Sequence, residues 1–412
     1  MIFPRSTFTP GHPNGETMPR VRSVIVCLTR DRPQTLIGTL SAASADLKKA
    51  KLRPRAFIVV DDSVNARSRL HNGRILERFA KEANCICLYH GPGEQHKVLA
   101  SMVRRGGLDA STFKFFFRRL GDLKWDLGGV RSYAMVLANL IGEQSSPIVM
   151  IDDDIVILPH ARSASAFDTL EQDVLDNPRL LTGGTLKGSP DESSVETAIR
   201  MMCHFTRSRK HLLPSESPMP VSGGLLAFNS ACSYLYPFPR WYNEDWAWLA
   251  QYQARGYSIR VEPLVVAKHI SSRKNLSLTT IKREQDGELL FEAVHWAIKN
   301  YSRTYVDRAL KLPAYWEDVA REEVIYLDHI IELVSAMEIP LSKASLKDCQ
   351  HGTGVRQVLR LLKRTKSYVA SIKPAAMMRR YGRYLEGAKR WRCLIQTAKQ
   401  CNTDLGLIVG RV

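Results

Sequence analysis

Short apolar runs of strand length, each ending in polar or acidic residues, recur through residues 23–270 and constrain the fold more than any other feature. They include Ser23-Val-Ile-Val-Cys-Leu-Thr29, Ala56-Phe-Ile-Val-Val60, Cys85-Ile-Cys-Leu-Tyr89 and Pro147-Ile-Val-Met-Ile151. The intervening segments carry apolar residues at helical spacing: 34–51 with Leu36, Leu40 and Leu47, then 75–83, and 128–139 behind a glycine turn. Buried strands alternating with amphipathic helices specify an α/β domain with a mainly parallel sheet. Ligands of such sheets bind beyond the carboxyl ends of the strands.

Those ends carry carboxylates. The second run stops at Asp61-Asp62-Ser63 and the fourth at Asp152-Asp153-Asp154. Aspartate is disfavoured in strands, so a triplet there needs a local reason. Alternation in an extended chain predicts that Asp152 and Asp154 point one way and Asp153 the other. Two carboxylates on one side form a hard oxygen site suited to Mg²⁺ or Mn²⁺ carrying a phosphate. A solvated acidic turn is the plainer reading of one triplet, but the shared position of Asp61, Asp62, Asp152 and Asp154 favours a site. Arg131 opens the 128–139 helix, where it reaches a phosphate or carboxylate or else is an ordinary surface arginine. A glycine-backed strand spans 220–228, and Asn243 is placed to cap a helix with Glu244 and Asp245 in its first turn. Strands at 258–262 and 264–267 lead to Lys268-His269. The stretch 91–123, with Phe113 and Phe115 beside Arg118 and Arg119, reads as irregular.

The chain has 412 residues, 44% hydrophobic and 24% charged, which is globular composition and room for two domains. Residues 1–22 hold no apolar h-region, so a flexible leader is expected rather than a signal peptide. No apolar run is long enough to cross a bilayer. The eight cysteines are scattered without a metal or redox spacing, as in a reduced, cytoplasmic protein. Net charge is +18, and residues 351–400 hold thirteen basic residues against the single acid Glu386. Leucine, tyrosine and tryptophan are interleaved, the pattern of a basic amphipathic helix on an anionic membrane surface or against an acidic acceptor. A solvated helical face is the next reading. Nucleic acid comes last, since no recognition motif accompanies the charge.

In order and spacing these parts resemble a GT-A-fold, family-2-like glycosyltransferase over residues 24–270. The parts are Thr29-Arg30-Asp-Arg-Pro33, Val60-Asp61-Asp62-Ser63, the 128–139 helix, Asp152-Asp153-Asp154, Ser222-Gly223-Gly224, Glu244-Asp245 with Gly256-Tyr257, and His269. The helix has Arg131-Ser132 where the family often has Arg-Asn. No Gln-x-x-Arg-Trp and no membrane spans follow, which argues against a processive synthase. The resemblance implies a Rossmann-like GT-A domain at 23–275 and a helical C-terminal region at 276–412. Thr29, Arg30, Asp61, Asp62, Arg131, Asp152, Asp153, Gly223 and Gly224 would bind the nucleotide sugar, Asp61 and Asp62 beside its base and ribose. Asp154, His269 and Asp152 would hold Mn²⁺ or Mg²⁺. Asp245 would be the base that deprotonates the acceptor, with Glu244 as its competitor. The implied reaction inverts the anomeric centre and passes the sugar to a glycan, lipid-linked, peptide or small-molecule acceptor.

Three other classes remain open on the sequence. A sugar-1-phosphate nucleotidyltransferase needs a glycine-rich basic loop where this chain has Leu28-Thr-Arg-Asp-Arg-Pro33. A two-metal nucleic-acid enzyme would use the same carboxylates. A non-catalytic carbohydrate-binding protein would retain the fold with a degenerate site.

Overall fold

The computed structural model describes residues 20–83, 85–106, 126–159, 164–188, 221–270, 278–301, 303–336 and 355–400. Most of the leader, the phenylalanine-rich stretch around 113–119 and the polar stretch 189–209 lie outside the described residues. The strands are β1 Ser23–Thr29, β2 Arg55–Asp61, β3 Ile86–His90, β4 Pro147–Asp152, β5 Ile155–Ile157, β6 Leu180–Gly188, β7 Leu225–Asn229 and β8 Ser258–His269. They form one sheet in the order β3-β2-β1-β4-β7-β6-β8-β5. The pairing is parallel from β3 through β4, as expected, and mixed beyond it: β7 runs antiparallel to both β4 and β6, and β5 to β8.

Eleven helices are described: α1 Pro33–Leu47, α2 Ala66–Glu82, α3 Pro92–Gly106, α4 Leu127–Ile141, α5 Ala166–Asp176, α6 Glu244–Gln253, α7 Leu278–Asn300, α8 Arg303–Ala309, α9 Pro313–Ala336, α10 Val355–Ser371 and α11 Pro374–Gln400. Helix α3 occupies part of the stretch expected to be irregular. The two strands expected at 258–267 are one, β8, whose register against β6 slips between Gly184 and Thr185, opposite Pro263. Proline cannot donate to the ladder, and a bulge absorbs it without ending the strand.

The alternation of β1 sorts the core. Ile25 and Cys27 pack with Leu36 and Leu40 of α1, Leu76 of α2 and Phe167 of α5 on one face. Val24, Val26 and Leu28 join the opposite core, shared with α4, α6 and the C-terminal helices. Burial on both faces is what a central parallel strand requires.

Packing of the C-terminal helices corrects one sequence expectation. The aromatic residues interleaved with the basic run are an internal face. Trp391 is fully buried and donates its indole N–H to the Ser233 carbonyl at 2.6 Å. The Tyr384 hydroxyl donates to the Pro237 carbonyl at 3.0 Å, and Tyr381 is hydrogen-bonded to Gln251. Met377, Leu394 and Ile395 are buried with them in the core that holds α4. The i, i+3, i+4 spacing of these residues is the core stripe of a packed helix. Among the described residues no helix is long and apolar enough to cross a membrane.

Candidate functional site

Sheet topology places the site. Strand β1 lies between β2 and β4; the chain leaves β1 toward β2 and leaves β4 away from β1, so a crevice opens at the carboxyl ends of these two strands. The register sets Thr29 beside Asp61 and Leu28 beside Asp152. A cleft of about 1210 Å³ opens there, lined by Arg30, Arg131, Asp152, Ser222, Gly224, Glu244, Asp245 and His269, among others. Its remaining wall comes from Arg240, Trp241, Tyr242 and Asn243 and from Thr279, Arg283, Arg380 and Arg383 of α7 and α11.

Arg131 is the hub of the floor. Its side chain is 2% exposed, and its guanidinium lies 2.9 Å from Asp152, 2.8 Å from Glu244 and 3.9 Å from Asp245. It is therefore not a surface arginine. An isolated buried guanidinium would carry a large desolvation penalty, and three carboxylates offset it here. Burial alone would lower its pKa, but Asp152 and Glu244 outweigh that and raise it. Burial raises the pKa of Asp152 in turn, against the pull of Arg131. Glu244 is pushed up to about 8, by burial first, with Asp245 and Asp152 adding to the push and Arg131 opposing it.

Gly223 is required beside this hub. A Cβ there would stand 2.1 Å from the Arg131 guanidinium. Its backbone N–H donates to Asp245 at 2.6 Å, and the Trp246 N–H donates to the other Asp245 oxygen at 2.9 Å. Asn243 precedes α6 in the left-handed region at φ 56, a conformation asparagine tolerates better than most residues. Its side chain makes no capping hydrogen bond, contrary to the sequence expectation.

The acidic triplet does not alternate as an extended strand would, because β4 ends at Asp152 and the next two residues form a turn. Asp152 turns to Arg131, while Asp153 and Asp154 share Arg32, at 3.5 and 2.7 Å. Asp153 also accepts from the Thr29 hydroxyl at 2.6 Å. Burial raises Asp153 to about 7 despite that bond. Asp154 lies 3.4 Å from the His269 Nε2. The antiparallel pairing of β5 with β8 brings these two together, since Ile155 is opposite His269 and the Ile270 N–H donates to the Asp154 carbonyl. Burial would raise Asp154, but the hydrogen bonds and charges of His269 and Arg32 outweigh it and lower its pKa. Asp154 and His269 are thus brought side by side, with Asp154 also bonded to Arg32. Asp152, engaged by Arg131, does not join them, and no three-ligand cluster is present among the described residues.

At the end of β2, Asp61 is fully buried and accepts from the Ser63 N–H, the Asn72 amide and the Tyr89 hydroxyl. Asp62 pairs with Arg30 at 3.1 Å and is raised to about 6, chiefly by burial. Of the predicted site residues, the cleft brings together Arg30, Arg131, Asp152, Gly224, Glu244, Asp245 and His269. Thr29, Asp61 and Asp153 are engaged in internal hydrogen bonds. Arg32, Arg240, Arg283, Arg380 and Arg383 were not singled out by the sequence. For the last two the signal was their place on a helix whose opposite stripe is apolar.

Neither a family model nor a curated sequence matches the chain. Among solved structures it is similar to a mannosyltransferase from Pyrobaculum calidifontis in complex with GDP-Man and Mn²⁺, at 13% identity over 88% of each chain and a TM-score of 0.41. It is similar to S. aureus TarS at 12% identity, over 85% of this chain and 55% of that one, with a TM-score of 0.35. Residues 1–349 of TarS in complex with UDP-GlcNAc give 11% identity, coverage of 85% and 91%, and a TM-score of 0.38.

Proposed function

We propose that this chain is a metal-dependent, non-processive glycosyltransferase that moves a sugar, with inversion, from a nucleoside-diphosphate donor to a hydroxyl acceptor. The observation that carries the reading is the meeting of the β4 carboxylate Asp152 with Glu244 and Asp245 across Arg131 in one strand-end cleft. UDP-sugars are the first donor class to test, and glycan, lipid-linked, peptide and small-molecule acceptors all satisfy the chemistry.

Asp245 accepts the proton of the acceptor hydroxyl as that oxygen bonds to the anomeric carbon. The bond from that carbon to the donor phosphate oxygen breaks, and its electron pair leaves on the diphosphate. Two backbone N–H groups hold the Asp245 carboxylate in place. Glu244 is tied to Arg131 at 2.8 Å, which makes it the less available acceptor. Arg131 holds Glu244 and Asp152 apart in a fixed geometry. Arg30 lines the cleft and steadies Asp62 on the β1–β2 side, where the nucleoside would bind. Asp154 and His269 would hold a divalent cation once Arg32 gives up Asp154, and that cation would supply neutralisation of the leaving diphosphate.

Calorimetry with UDP tests the donor site. Binding is expected to require Mn²⁺ and to weaken strongly in Asp154→Ala, and equal affinity in EDTA would remove the cation from the mechanism. Release of UDP from a panel of UDP-, GDP- and TDP-sugars then identifies the donor.

A further inference from the structure

We propose that the wall contributed by α7 and α11 is an acceptor subsite for an anionic saccharide, one bearing phosphate, sulfate or carboxylate groups. The inference rests on the proposed function at one point, the assignment of Asp245 as base. An acceptor hydroxyl must touch that carboxylate, so the groups flanking Asp245 away from β1 and β2 are those an acceptor meets. Trp241 and Tyr242 of the approach to α6 line the same cleft as Asp245, with Arg283, Arg380 and Arg383, and none of them belongs to the sheet.

This wall is built by close packing. A Cβ on Gly287 of α7 would stand 2.2 Å from the Tyr242 carbonyl oxygen, so the helix approaches that segment as only glycine permits. The Arg380 guanidinium lies 5.8 Å from the centroid of the Trp241 ring and bonds Asp286 of α7 at 3.3 Å. Trp241 also meets Tyr384 edge to face, with centroids 5.2 Å apart. The indole is thereby held from two sides, and it lines the cleft. Arg383 follows Arg380 at i+3, on the same helix face, and is exposed.

The charge of this wall points to an anion: α7 and α11 contribute Thr279, Arg283, Arg380 and Arg383 and no carboxylate, and the acids stand elsewhere in the cleft. Of the carboxylates that line it, Asp152, Glu244 and Asp245 already share Arg131, and Asp126 is paired with Arg240. Arg383 has no acidic partner among the described residues. Guanidinium groups bind phosphate and carboxylate in a bidentate fork, and an indole offers a flat apolar face to the C–H face of a sugar ring. Arginine beside a fixed tryptophan, next to a base, is a recognition surface for a charged sugar.

The test uses the full chain and reads saccharide binding by calorimetry without nucleotide, and UDP binding with Mn²⁺ in a separate titration. The probes are a sulfated heparin hexasaccharide, neutral maltohexaose and an oligothymidylate of similar charge. The sulfated saccharide is expected to bind in preference to both others. Arg383→Gln should weaken it about tenfold, the size of one charge-assisted hydrogen bond. Arg364→Gln, an exposed position on α10 that does not line the cleft, should leave it unchanged. No binding of the sulfated probe, equal binding of maltohexaose, or equal weakening by Arg364→Gln would overturn the subsite. Equal, Arg383-dependent binding of oligothymidylate would overturn the saccharide assignment. A loss of UDP affinity in Arg383→Gln would assign the arginine to the donor diphosphate instead. Failure of the proposed function would show separately, as wild-type protein that binds no UDP, while the hexasaccharide arm is read without UDP.

Discussion

The sheet and the C-terminal helices both set charged residues beside apolar ones, yet the charges serve different ends in the two regions. At the ends of β1, β2 and β4 the chain leaves the sheet where its backbone pairing stops. Carboxylates there project into a crevice or turn back on the strand: Asp152 does the first and Asp61 the second. In α10 and α11 the helical period separates two stripes, one buried in the core and one carrying the arginines outward. Two members of that stripe, Arg380 and Arg383, border the cleft. Strand-end charge is thus placed by topology, and helical charge by whatever the apolar stripe packs against.

The sharpest way to break the assignment of chemistry to the sheet side is Asp245→Asn. Removing a general base typically costs about two to four orders of magnitude in rate. Turnover is expected to fall by that amount while calorimetric affinity for UDP and Mn²⁺ stays near wild type. Glu244→Gln should cost less, because Glu244 is tied to Arg131 at 2.8 Å. Near-normal turnover in Asp245→Asn together with a severe loss in Glu244→Gln would exchange the two roles.

Much of the sheet side was legible in the sequence, for a physical reason. Strand-length apolar runs specify β1, β2 and β4, and the residue after each run must sit at the sheet edge. What was not legible is where each carboxylate points. Asp61 and Asp152 follow similar runs, but Asn72, from α2, and Tyr89, from β3, claim the first, while Arg131 claims the second. Asp154 and His269 were brought together in the sequence only by the family resemblance, and the physical reason is the β5–β8 register, a pairing across more than a hundred residues. The C-terminal helices were legible as helices, but the partner of their apolar stripe was not. Membrane and protein core make the same demand on an amphipathic sequence, and tertiary packing decides between them.

Trp391→Ala tests whether the C-terminal helices share their stability with the sheet. Truncating a buried tryptophan typically costs about 3 to 5 kcal/mol. Here it also leaves the Ser233 carbonyl without its indole donor. Because Trp391 belongs to the same core as α4 and β1, the expected result is one cooperative thermal transition at a lower Tm. A separate low-temperature transition, with the transition of the sheet unchanged, would divide the chain into two independent units.

The smallest effect concerns the outward stripe. Arg360, Lys363 and Arg364 of α10 and Lys389 and Arg392 of α11 are exposed, whereas Tyr381, Tyr384, Trp391 and Leu394 are buried. On an anionic bilayer each nearby Lys or Arg contributes about 1 kcal/mol, and that attraction is screened by salt. Apolar insertion would not be screened, but it would require these side chains to leave the core. The expected outcome is therefore partial sedimentation with phosphatidylserine vesicles at low salt, lost by about 0.5 M salt, where the screening length falls to only a few ångströms. Sedimentation that survives high salt would mean that α11 unpacks on the bilayer, and the contrast between an inward aromatic face and an outward basic one would fail. Absence of sedimentation even at low salt would remove the membrane from the chain's partners and leave the cleft as the one place where its C-terminal arginines act.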